Sequence, residues 1–253
     1  MPRTGQPAIR RVAAVERAVS VLNVLSESAG DLGTNEIARR AGINASSVSR
    51  LLATLAASDL VEHVPDTGRY RLGLRLLQLG NVVLAQLDLR EAAHPHLAAL
   101  AEATGETATL SVPGDREAVT VDFVQSATSS VQSIARVGRP SVAHATAVGK
   151  VFLACGGKLP DGPLAAYTAR TITDPEELAE EVQRTATRGW AEAAGERERD
   201  LNAIAAPVIG RRGELVAILG LQGPSRRFNR RAMRAAVDQL LSRVARLSTR
   251  SPE

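Results

Sequence analysis

Residues 34–73 read TNEIARRAGINASSVSRLLATLAASDLVEHVPDTGRYRLG, and this stretch decides the fold. Its order is a short helix, a tight turn, a second helix, and two strands joined by a charged turn. That is a winged helix-turn-helix, which places one helix in the major groove of DNA. Thr34 is expected to supply an N-cap oxygen to a helix over residues 35–41, with Ile37 and Ala38 facing inward. Gly42 permits the left-handed backbone of the turn. Asn44 is the next N-cap candidate, with Ser47 at N3, for a helix over 45–58 whose inner face carries Val48, Leu51, Leu52 and Leu55. The opposite face opens with Ser46, Ser47, Ser49 and Arg50. Short hydroxyls at a helix start let the backbone approach phosphates or base edges, and Arg50 can reach a phosphate or grip a guanine. A merely capping, solvent-facing role fits this helix alone equally well. The residues that follow tip the balance. Strands over 60–64 and 69–72 flank Pro65-Asp66-Thr67-Gly68, which is turn chemistry. Arg69 and Arg71 alternate with Tyr70, so both are expected on one solvent face towards the phosphate backbone.

Working outward, residues 1–11 show no periodicity and read as a flexible basic arm. From Ala14 the pattern is helical, with Val15, Val19, Leu22 and Leu25 or Ser26 forming one apolar stripe. Gly30 and Gly33 end that helix. Residues 74–89 read as a linker helix in which Leu76, Leu77, Val83, Leu84 and Leu87 recur near every 3.5 residues. This spacing suits contact between two chains. One helix-turn-helix reads few base pairs, and a two-fold dimer on a palindromic site solves that problem. Beyond it, helices over 92–104, 147–155, 175–188 and 230–247 alternate with strands over 106–112, 118–125, 131–136, 190–193, 203–209 and 215–221. The fold class is therefore α+β: a winged helix-turn-helix at 12–73, the linker at 74–89, and a sheet-and-helix domain at 90–250.

Composition is that of a globular chain: 44% hydrophobic and 23% charged residues over 253. Aromatics are only 2%, so aliphatic side chains must build the cores. A single cysteine, Cys155, excludes an intramolecular disulfide framework and fits a reducing cytoplasm. No apolar run approaches the roughly 20 residues of a membrane span, and the polar N-terminus gives no sign of a signal peptide. The net charge of +4 divides into +2 over residues 1–73, −4 over 74–222 and +6 over 223–253. Basic ends lean weakly towards an anionic partner.

Catalytic and metal constellations are lacking. His94 and His96 flank Pro95 at an expected helix start, without the further ligands of a zinc site. His144 is expected to tie down a loop. Gly149-Lys150 ends like a phosphate-binding loop, but His144 stands where that loop needs glycine and Val151 where it needs Ser or Thr. No nucleophile elbow and no dinucleotide-binding glycine fingerprint occur. Cys155 is expected as a small core residue. No enzymatic activity and no cofactor follow.

The stretches VERAVSVLNVL, EIARRAGI, SSVSRLLATL, PDTGRYRLG, HPHLAALAEATGET, GRPSVAHATAVGK, TITDP, RGW, NAIAAPV and GELVAILGLQGP occur in order along nearly the whole chain. In this the sequence resembles the IclR (isocitrate-lyase-regulator) family of bacterial transcription regulators. The resemblance implies a GAF-like effector domain after the linker. It also implies a homodimer or dimer of dimers (a homotetramer) on an operator, control by a small molecule, and repression as the commoner mode. By matching, Ala147, Val148, Ala203, Gly220 and Gln222 would line the effector pocket. Relatives that bind small oxo-acids carry acids, a cysteine and serines where this chain has Ala193, Ala194, Ala203, Gly220 and Gln222. Losing that hydrogen-bonding set points to a larger or more apolar effector, such as an aromatic carboxylate, with Gln222 as the lone polar anchor.

Overall fold

The computed structural model describes residues 12–85, 88–126, 135–159 and 162–248. The basic arm, Leu87 of the linker stripe and residues 131–134 of one expected strand lie outside them; Ala135 and Arg136 of that strand are not in a strand. The chain divides into two compact units between residues 86 and 87.

The first unit is built from α1 (Ala13–Ser26), α2 (Thr34–Ala41), α3 (Ala45–Ala57), β1 (Val61–Val64), β2 (Arg69–Leu72) and α4 (Leu74–Ala85). Asn44 caps α3, its side-chain oxygen accepting from the Ser47 N–H at 2.8 Å. Gly42 ends α2 at φ 67°, a left-handed backbone that a Cβ would strain. Thr34 is not the cap expected of it. It is the first helical residue of α2, and the extended Gly33 before it is the cap, with no side chain to offer. The core gathers Val21, Val24 and Leu25 of α1 with Ile37, Val48, Leu52, Leu55 and Val61. Ile37, Val48 and Leu52 are wholly buried, each stabilising the unit by roughly 1.5–3 kcal/mol. The inward stripe of α1 thus keeps the expected Leu22 and Leu25 but continues through Ala18 and Val21 instead of Val15 and Val19, which are 60% and 49% exposed. Both stripes have helical spacing, and the α2–α3 core takes the one through Val21. Along α4, Leu74, Leu77, Val82 and Val83 are likewise exposed.

The second unit holds α5 (Asp88–Thr104), β3 (Thr107–Pro113), β4 (Ala118–Val124), α6 (Ala147–Ala154), α7 (Pro175–Arg188), β5 (Ala191–Ala194), β6 (Leu201–Ile209), β7 (Leu215–Pro224) and α8 (Arg230–Ser248). Its five strands form one antiparallel sheet in the order β4-β3-β7-β6-β5. Helices α5 and α8 pack against the sheet and each other, whereas α6 packs on the sheet with α7 beside it. Helix α5 begins earlier than expected, so His94-Pro95-His96 lies inside it rather than at its start. His94 Nδ1 lies 2.8 Å from Asp122 Oδ2 on β4. Among the described residues no cluster of His, Cys, Asp and Glu could hold a metal ion. Cys155 is exposed at the end of α6, because the helix stops one residue before it and takes Phe152 and Leu153 into the core instead.

Register places the candidate pocket residues together. Ala193 pairs with Ala203, Ala203 with Gln222, and Gln222 with Thr107; one step along, Ala205 pairs with Gly220 and Gly220 with Thr109. Side chains alternate along a strand, so these positions share a face, and Ala193 and Ala205 pack there with Ala147 and Val151 of α6. Helix α6 comes close at Gly149, where a Cβ would stand 2.4 Å from Val142 O. The glycine of the abandoned phosphate-loop motif is therefore a packing residue.

Candidate nucleic-acid interface and effector pocket

On α3, Ser46, Ser49 and Arg50 stand three and four residues apart, which turns them to one face, and all three are exposed. Ser47 is half-buried. The Ser46 hydroxyl donates to Asn44 Oδ1 at 2.9 Å and so belongs to the cap as well as to the surface. The guanidinium of Arg50 has no hydrogen-bond or ion-pair partner among the described residues.

Its neighbours differ. Arg39 and Arg40 both hold Glu36, at 2.7 and 2.6 Å, and their hydrogen bonds draw that carboxyl down to about 2. Arg71 grips Glu62 across the hairpin with two bonds of 2.9 and 2.7 Å, which pushes the Glu62 carboxyl below its usual range. Arg69 donates from Nη1 to Asp31 O at 2.9 Å. The two wing arginines expected to point freely at phosphates are therefore each engaged within the unit. Tyr70 is half-buried: its backbone bridges to Leu32 and its ring lies 4.9 Å from that of His63. Thr34 and Arg69 meet in one shallow cleft with Gly33, Asn35, Arg40 and the Glu36 carboxylate, which Arg39 and Arg40 already hold. No side chain caps α2, so its first N–H groups lack a side-chain acceptor. The signal for this was Gly33 where a polar cap is usual.

In the second unit a cleft of roughly 690 Å³, counting space open to solvent, lies between the start of α6 and the sheet. Ala147, Val148, Ala203 and Gln222 line it; Gly220 does not. A Cβ at Gly220 would stand 2.6 Å from Thr109 Oγ1, so the threonine hydroxyl occupies the place a serine there would fill. The Thr146 hydroxyl accepts from the Gly149 N–H at 3.0 Å, and the first N–H groups of α6, those of Ala147 and Val148, fall at the cleft.

Gln222 is not the lone polar group expected there. Thr109, Thr120 and Ser141 also line the cleft, as do Arg139, Glu196, Arg197 and Glu198. The turn carrying residues 196–198 is anchored: the hydroxyls of Thr168 and Thr171 donate to Gly195 O and Glu196 O, both at 2.7 Å. Each of its three side chains has a partner. Glu196 Oε1 accepts from the buried Lys150 Nζ at 2.7 Å, the guanidinium of Arg197 stacks 3.8 Å from the Tyr167 ring, and Glu198 pairs with Arg139 at 3.0 Å. Burial pushes the Glu196 carboxyl up, and Lys150 offsets this only in part. His144 ties the neighbouring loop down, its Nε2–H donating to Ala165 O at 2.9 Å. None of this rim carried a periodic signal in the sequence.

The bacterial transcriptional regulator IclR C-terminal domain family matches residues 81–249, and the IclR helix-turn-helix domain family matches residues 14–65. The transcriptional repressor IclR of Escherichia coli is 31% identical, over 88% of this chain and 84% of that protein. The crystal structure of an IclR transcriptional regulator from Alicyclobacillus acidocaldarius superimposes with a TM-score of 0.78 at 28% identity, covering 95% of this chain and 99% of that one. An IclR homologue from Microbacterium hydrocarbonoxydans, crystallised with 4-hydroxybenzoate, superimposes with a TM-score of 0.73 at 26% identity, covering 94% and 98%.

Proposed function

The chain belongs to the IclR family of DNA-binding transcriptional regulators, and from that premise we propose that it is a repressor that binds a palindromic operator as a homodimer or dimer of dimers and answers to an aromatic carboxylate. It acts in the cytoplasm and catalyses no reaction. Residues 12–73 are the reading head, 74–89 the linker and 90–250 the effector domain. The observation that carries the DNA reading is Arg50, an unengaged guanidinium on the exposed face of α3 beside Ser46 and Ser49. Ser47 supports the start of the same helix, Thr34 and Arg69 lie together at the start of α2 within reach of the backbone phosphates, and Arg71 and Tyr70 shape the wing. Repression is supported by the name of the Escherichia coli relative.

The test is operator affinity. Arg50→Ala should weaken binding by about tenfold or more, the loss expected of one good base contact at 1–3 kcal/mol. Unchanged affinity would remove α3 from the role of recognition helix. For the dimer, the support is the apolar surface of the first unit: Val15 and Val19 on α1, and Leu74, Leu77, Val82 and Val83 on α4.

For the effector, the support is the cleft and the 4-hydroxybenzoate held by the Microbacterium protein. Ala147, Val148, Ala193 and Ala203 offer a ring apolar surface, Gln222 offers an amide, and the α6 N-terminus favours negative charge. Thermal-shift screening of a carboxylate library should find aromatic acids stabilising and small oxo-acids inert. The reverse pattern would refute the aromatic assignment.

A further inference from the structure

The effector cleft contains its own carboxylate. Glu198, on the turn between β5 and β6, sits 3.0 Å from Arg139, and both residues line the cleft. They are 59 residues apart in sequence, and both side chains are only about one-third exposed. Their backbones are held independently of the pair. The Arg139 carbonyl accepts from the Thr120 N–H at 3.1 Å, and the Glu198 carbonyl accepts from the Leu201 N–H at 3.1 Å. The side chains can therefore part without moving the backbone at either residue. Of the other charged groups at the rim, Glu196 is committed to buried Lys150 and Arg197 is stacked on Tyr167.

We infer that Glu198 is an internal competitor for the effector: it occupies Arg139 in the empty cleft and is displaced when an anionic ligand takes its place. The inference rests on the reading of this cleft as the effector site. An incoming carboxylate would gain the guanidinium only by releasing Glu198 to solvent, so the net gain is the difference between two similar charge-assisted bonds. A neutral ligand offers Arg139 only an uncharged acceptor and does not displace Glu198. Glu198 thus lowers affinity for anionic effectors and narrows their advantage over neutral analogues, so Arg139 and Glu198 together set how strongly the cleft discriminates by charge.

The experiment is isothermal titration of the full-length protein with 4-hydroxybenzoate and benzoate, and with 4-hydroxybenzamide and benzamide as neutral analogues. Glu198→Gln should bind the carboxylates about tenfold more tightly than wild type and the amides within twofold of it. Arg139→Gln should bind acid and amide alike. Equal carboxylate affinity in wild type and E198Q overturns the inference, as does a parallel gain for the amides. Ala203→Phe separates this from the cleft itself, with Val148→Phe as the second blocking variant if the first does not fold. If blocking abolishes binding while E198Q changes nothing, the cleft reading stands and Glu198 is no competitor. Binding that survives blocking, or no binding by either wild type or E198Q, overturns both.

Discussion

Single residues divide sharply between those that act by exposure and those that act by burial. Arg50, on the proposed recognition face, has no hydrogen-bond or ion-pair partner among the described residues, whereas Arg39, Arg40 and Arg71 are spoken for by carboxylates. A salt titration should therefore show Arg50→Ala lowering the salt slope of operator binding by about one per chain if it meets a phosphate, and leaving it unchanged if it meets a base. Lys150 is the opposite case. It is 1% exposed, and its loss leaves the Glu196 carboxylate without its cation. Lys150→Met should cost about 3 kcal/mol at neutral pH, since one half of a buried pair remains. The sign with pH follows from Glu196. Its carboxyl is raised above the ordinary 4.5 in the folded chain, so its favourable contribution is complete below 4.5 and is lost as pH rises through the raised value. Removing Lys150 raises it further. The stability gap between wild type and K150M, measured by urea unfolding, should therefore be small near pH 4.5 and widen towards neutrality. A gap independent of pH would mean that Lys150 contributes by packing alone.

Among elements, α3 and α6 were the most legible in the sequence. Asn44 before a 3.6-residue stripe is a strong local signal, and that cap forms as read; Thr146 caps α6 in the same way, although only the helix was expected there. Local signals fail where two answers have the same period. Helix α1 has two stripes of equal helical spacing, and only the shape of the α2–α3 core selects the one through Val21. Thr34 misled for a related reason: a threonine at a helix start is a common cap, but here the chain is already helical at that residue. The effector cleft was half legible. The family resemblance pointed to Ala203 and Gln222, which do line the cleft, but Arg139 and Glu198 come from irregular segments whose meeting no pattern encodes. Helix α6 also yields a test of packing. Gly149→Ala would bring a Cβ to 2.4 Å from Val142 O and 2.6 Å from Ala143 Cα. Neither is a side chain that can swing away. Despite the better helix propensity of alanine, this variant should lose about 2 kcal/mol or more in denaturant unfolding. A stabilised G149A would mean that the 142–143 segment yields freely.

For the whole molecule, the reading head has a net charge of only +2 over residues 1–73, and Arg39, Arg40 and Arg71 are paired with its own carboxylates. Such a head is a poor non-specific clamp, which is the reason for proposing that two copies act together. The apolar faces of α1 and α4 give those copies something to share. Leu77→Glu with Val83→Glu should leave the fold intact, because both side chains are solvent-facing at 61% and 60% exposure, yet shift the protein to a smaller assembly in sedimentation. An unchanged sedimentation coefficient would place the interface elsewhere. The most direct test of the central claim, a paired and weak reading head, starts from an operator selected out of random duplex DNA with the full-length protein. Affinity is then measured for that operator and for a version with about half a helical turn inserted between its half-sites, which rotates them to opposite faces of the duplex. The account predicts that the insertion reduces binding to the non-specific level. Equal affinity for the two duplexes would contradict it.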